Sequence, residues 1–115
     1  MANAFLSEVK QNIATGSGTD VLTCGASTEI TVIGLSVANT GTSQILIDVK
    51  LDASQRTSGN EVSVFLVKSA PVPAGGSLVV VGGDQKVVIE PGDKITVISD
   101  TANSADCVLS HLDIT

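Results

Sequence analysis

From residue 20 onward the apolar residues come in short, β-branched runs, and each run stops at a cluster of Gly, Pro, Asn, Asp or Ser. No run keeps a helical period for three turns, and that rules out most architectures at once. Residues 44–52 give the clearest pattern. Ile45, Ile47, Val49 and Leu51 alternate with Asp48, Lys50 and Asp52, as a half-buried antiparallel strand requires. Further strands are predicted over 21–24, 28–38, 62–68, 78–81, 86–90, 94–100 and 106–113. In 28–38 the apolar phase slips: Ile30 and Val32 fall on one face, and Ile33, Leu35 and Val37 on the other. Gly34 sits beside that slip, where a bulge or bend is expected.

The separators carry recognisable turn chemistry, among them Pro-Gly-Asp at 91–93 and Gly-Gly-Asp at 82–84. Residues 4–14 read either as a helical face (Phe5, Leu6, Val9, Ile13) or as an alternating strand, and an extended N-terminal arm or strand over about 1–19 is the expected form. The 115 residues fit one domain, 1–115. Some nine short strands at close spacing predict a single all-β antiparallel β-sandwich, jelly-roll-like or Ig-like. The polar stretch 52–61 is expected to form a mobile tip.

Three runs are too apolar for that fold standing alone. Val62 with Val64 to Val67, Leu78 to Val81, and Val87 to Ile89 are apolar on both faces. Only the inner face of a sandwich strand meets the core. Their outer side chains are expected to be covered by another subunit, since large exposed apolar patches mark interaction surfaces. Val72, Pro73, Val79 and Val81 are the predicted contact residues, because the loop 69–77 and the strand after it carry more apolar surface than a core needs.

Composition narrows the partners. The net charge is −6, and the six cations (Lys10, Lys50, Arg56, Lys68, Lys86 and Lys94) are scattered singly. Phosphate backbones and anionic membranes select grouped cations, so neither nucleic acid nor membrane is expected as a partner. The chain has no Trp or Tyr and two Phe, which disfavours stacking on bases or sugars. The N-terminus lacks the basic and apolar regions of a signal peptide, so synthesis and folding in a cytoplasm are expected. Cys24 and Cys107 are then expected as reduced, buried thiols. A disulfide, the alternative, would tie an early strand to the last.

Catalytic sets are missing. His111, the one histidine, shares a strand face with Leu109 and Asp113, but no Gly-x-Ser-x-Gly turn presents a nucleophile, and it is expected as a half-exposed strand residue. One His and two distant Cys give no structural zinc set. Asp93, Asp100 and Asp106 lack calcium-loop spacing. The glycine pairs 75–76 and 82–83 open no helix, as a phosphate loop would, and read as hairpin turns. Neither an enzyme nor a cofactor or metal site is expected.

The opening Met-Ala-Asn-Ala-Phe, the segment Thr-Val-Ile-Gly-Leu-Ser-Val-Ala-Asn-Thr at 31–40, the long block 65–95 (Phe-Leu-Val-Lys-Ser-Ala-Pro-Val-Pro-Ala-Gly-Gly through Glu-Pro-Gly-Asp-Lys-Ile) and the ending Leu-Ser-His-Leu-Asp-Ile-Thr resemble a family of small virion structural proteins of tailed phages infecting marine and cyanobacterial hosts. The likeness spans nearly the whole chain, least at 52–61. Cys24, Cys107 and His111 depart from the family pattern. The resemblance implies a non-enzymatic particle component, located in the virion and assembled in the host cytoplasm. The expectation is therefore an accessory subunit that self-associates, with other virion proteins as partners, and attaches to the exterior of a capsid or tail. A receptor- or glycan-binding module of a phage fibre, reading its target through 52–61, is the alternative.

Overall fold

The computed structural model describes residues 3–56 and 59–114. Nine strands account for the regular structure: β1 (Asn3–Lys10), β2 (Thr19–Thr23), β3 (Glu29–Asn39), β4 (Ile45–Asp52), β5 (Ser63–Val72), β6 (Ser77–Val81), β7 (Val87–Ile89), β8 (Lys94–Ser99) and β9 (Ala105–Ile114). No helix occurs among the described residues. All pairings are antiparallel. The N-terminal segment resolves as a strand, not a helix.

The strands form two sheets. Sheet A has the order β1-β9-β3-β6, with β7 sharing the β6 side of β3, and sheet B has the order β2-β8-β4-β5. The pairs β4·β5, β3·β6/β7, β2·β8 and β1·β9 are nested, as in one long hairpin rolled into a sandwich. That nesting, with β6 and β7 filling one place, is the jelly-roll arrangement; of the two sandwich types expected, it excludes the Ig-like order.

One core lies between the sheets. Ile30, Val32, Leu35 and Val37 of β3, Ile45, Ile47 and Val49 of β4, Ile95 and Val97 of β8, and Ala105, Cys107 and Leu109 of β9 all point into it. The phase slip in β3 is a register shift against β9 between Val32 and Gly34. The extra residue, Ile33, absorbs the slip. The two apolar sets flanking it, one expected on each face, therefore reach the same inner face.

β5 is longer than its sequence suggests. It runs through 69–72, where a separator is expected, and ends at Val72. Pro71 is tolerated because β5 is the edge strand of sheet B, and an edge position needs no second ladder of N–H donors. A bulge opposite Asp48 turns Ser69 to φ +53°, and Ser69 N–H donates to Asp48 Oδ1 at 2.7 Å.

Candidate protein-interaction surface

The outer faces of the two sheets differ sharply. On sheet B the outward positions of β4 carry Asp48, Lys50 and Asp52, and Lys68 reaches Asp48 at 3.1 Å. Lys94 on β8 lies 3.9 Å from Asp20. The ammonium of Lys68 also sits 4.7 Å from the Phe65 ring centroid, partly covering that half-exposed ring.

Sheet A presents almost no charge. Among the described residues, the outward positions of its strands hold Glu29 at one end, Asp106 at the other, and otherwise only neutral side chains. Five of these are large, apolar and exposed: Phe5 (76%), Val9 (68%), Val79 (67%), Val88 (62%) and Val108 (42%). They come from four strands, and the ladder aligns them. Val9, Val108, Ser36 and Val79 lie in one row across the sheet. Phe5, Leu112, Thr31 and Val88 lie in another. Between these rows lie Ser7, Ser110 and Gly34, with the half-buried bulge residue Ile33 beside Gly34.

A groove of about 510 Å³ opens where β1 parts from β9, lined by Val9, Lys10, Ser36, Ala38, Asp106 and Val108 among others. Asp106 Oδ1 accepts a hydrogen bond from Asn12 N–H at 3.1 Å. Cys107, also on the rim, is a free buried thiol pushed up to about 12 by burial. Cys24 is likewise free, and burial followed by the Asp93 charge raises it to about 11. What this groove and the rows beside it can do is bury apolar surface against a shape that fits them.

Of the predicted contact residues, Val79 stands on this face, on its edge strand β6. Pro73 is exposed in the β5–β6 turn, away from it. Val72 and Val81 are corrected outright: both are core residues, fully or nearly fully buried. Val72 ends an edge strand on its inward phase, opposite Ile45, and Val81 pairs with Leu35 on the inner face of sheet A. Counting apolar residues in a run overstates exposure, because period two sends alternate members inward. Phe5, Val9 and Val108 escape a sequence reading for the converse reason. Each looks unremarkable in its own strand, and only the register gathers them.

His111 also differs from expectation. It is buried, not half-exposed. Its Nε2 lies 3.0 Å from Glu8 Oε2, and its Nδ1 contacts Asp113 Oδ1. β1 supplies the Glu8 carboxylate from across the ladder, two residues along the strand from Leu6, the direct partner of His111. Each ring nitrogen meets one carboxylate, Glu8 from β1 and Asp113 from β9, so the cluster clasps β1 to β9.

The loop 52–61 is pinned at its start. Ala53 is buried. Arg56 Nε lies 3.1 Å from both oxygens of Asp93, and its Nη2 donates to Asp93 Oδ2 at 2.8 Å. Glu90 Oε2 lies 3.4 Å from Arg56 Nη1. Donation to Asp93 raises the Arg56 guanidinium further above its ordinary value. A mobile tip is therefore not what residues 53–56 form, while 57 and 58 lie outside the described residues. The acids weighed for calcium have separate occupations: Asp93 serves Arg56, Asp100 accepts from Leu46 N–H, and Asp106 serves Asn12. Among the described residues no group of three or more His, Cys, Asp or Glu converges to hold a metal. No protein-family model, curated protein or solved structure shows a significant match to the chain.

Proposed function

We propose that the chain is a non-enzymatic accessory virion structural protein, one that self-associates and attaches to the exterior of a phage capsid or tail. The observation that carries this reading is the charge-poor outer face of sheet A, with Phe5, Val9, Val79, Val88 and Val108 exposed on it. A protein of net charge −6 that keeps one face almost uncharged has a surface suited to protein contact. The sequence resemblance to small virion proteins supplies the setting. A jelly roll serves viral capsid and lectin domains alike, and the face favours the former: sugar sites present flat aromatic rings, and Phe5 is its one aromatic. Binding would come from apolar burial at about 25 cal/mol per Å², multiplied by many copies on a symmetric particle.

The test uses purified particles from cells infected by the phage that encodes the chain. Quantitative mass spectrometry should find it in fixed, multiple copies per particle. Surface proteolysis and cryo-electron microscopy should place those copies on the outside. Particles that lack the chain, or hold it only in the interior, would overturn the reading.

A further inference from the structure

We propose that the outer face of sheet A is a self-complementary interface that pairs this chain with a second copy, sheet A against sheet A. The proposal rests on the self-association part of the reading above and names its surface and partner.

The argument begins with relief. Same-face rows on a sheet are two residues apart, about 6.7 Å. Along sheet A they alternate between large and small side chains. The row Phe5, Leu112, Thr31, Val88 is a ridge. Ser7 and Ser110 form a trough, interrupted on β3 at the bulge, where the half-buried Ile33 stands beside Gly34. Val9, Val108, Ser36, Val79 is a second ridge, and Asp106, Ala38, Ser77 a second trough. A two-fold axis laid along the rows, midway between Ser110 and Val108, sets each ridge over a trough of the other copy. Val108 then faces Ser110, and the Phe5 ridge faces the Ala38 trough. Each strand then lies over its own counterpart, and every contact occurs twice, as in any isologous interface.

Charge favours the same face. A buried interface core is depleted of charged groups, because each one it covers loses its water. Sheet A holds Glu29 and Asp106 at its two ends, whereas Asp48, Lys50, Asp52 and Lys94 stand across the outer face of sheet B. Area is sufficient as well. Four strand positions at about 4.8 Å and some ten residues at about 3.3 Å give a flat patch of roughly 600 Å². With side-chain relief added, this is on the scale of the ~800 Å² per partner of a standard interface.

The experiment is sedimentation equilibrium on the whole chain, alongside single substitutions checked for native circular dichroism. The wild type should be a dimer. Val79→Asp and Val108→Asp, in different strands of the same face, should each raise the dissociation constant at least about tenfold, and the isosteric Val108→Thr should weaken it in the same direction. Phe65→Asp, outward on sheet B, should leave it unchanged. Should an Asp variant fail to fold, Val108→Thr decides. Mixed chains carrying Ser110→Cys and Val108→Cys should form disulfide-linked heterodimers in higher yield than either forms alone. A monomeric wild type, a dimer indifferent to both Val79→Asp and Val108→Asp, or equal cross-linking in all three pairs would overturn the proposal. Attachment to particles is assayed in parallel. A chain that dimerises but ignores particles defeats the virion reading alone, and one that attaches as a monomer defeats this interface alone.

Discussion

Glu8 and His111 stand 103 residues apart in sequence and meet at 3.0 Å, closing the first strand onto the last. β1 is the edge of sheet A and its side chains are otherwise exposed, so little besides this contact and the ladder holds it.

Replacing His111 by Leu keeps an apolar filler but removes both ring nitrogens that meet Glu8 and Asp113. The expected loss is about 1–3 kcal/mol, the cost of leaving polar partners unmade. It should be local. Amide hydrogen exchange in residues 3–10 should accelerate at least about tenfold, while β4 and β8 exchange as before. Unchanged protection in β1 would show that the ladder alone holds the strand.

The Arg56–Asp93 pair predicts a larger and global effect. Asp93 is fully buried, and besides Arg56 it accepts the Glu90 N–H at 3.0 Å. Arg56→Ala leaves that carboxylate without its counter-charge, which costs about 3–5 kcal/mol in buried pairs. Urea unfolding should show the midpoint falling with an unchanged slope. A loss below about 1 kcal/mol would class the pair with surface ion pairs.

Asp52 predicts acid sensitivity. Hydrogen bonds from the Ser54 side chain and N–H, then from Ser63, lower it from 3.8 to about 2. A carboxyl depressed in the folded state stabilises above its unfolded value, and that contribution is lost as pH falls through the folded one. Stability should therefore decline between about pH 4 and pH 2. Asp52→Asn should flatten that part of the profile, measured as urea midpoint against pH. Superimposable profiles would count against the serine contacts.

The two thiols predict the opposite limb. Cys24 at about 11 and Cys107 at about 12 are raised above 9.0, mainly by burial, so their stabilising contribution is present below pH 9 and lost as pH rises through 11 and 12. Near pH 8 a folded thiol at 11 exposes about 100-fold less thiolate than an ordinary one. Ellman's reagent should label neither cysteine until the chain is unfolded. Prompt labelling of one thiol in the native protein would show that its cover opens.

Much of the fold is legible in the residues. The alternation of 44–52, the turn clusters and the slip beside Gly34 each correspond to an element, because each is a local rule of the backbone. Pro71 misleads, since whether a proline ends a strand depends on the strand's place in its sheet. The candidate surface is half legible. Val79, named from the excess apolar content of 78–81, is exposed, and the run 87–89 does carry an exposed residue, Val88, though its composition alone does not say which member faces out. Phe5, Val9 and Val108 join them only through pairing between the two ends of the chain. His111 and Asp93 are missed for the same reason: their partners Glu8 and Arg56 are distant, and nothing local announces them.

The nesting of the strand pairs fixes an order of completion. The β4·β5 hairpin closes over a short span, whereas β1 waits for β9, the last strand of the nine, before it has anywhere to dock; long-range closures of this kind come late and slowly. The rows on sheet A need both of those strands. The patch is therefore among the last surfaces the fold completes, and a partly folded chain lacking either strand does not present it.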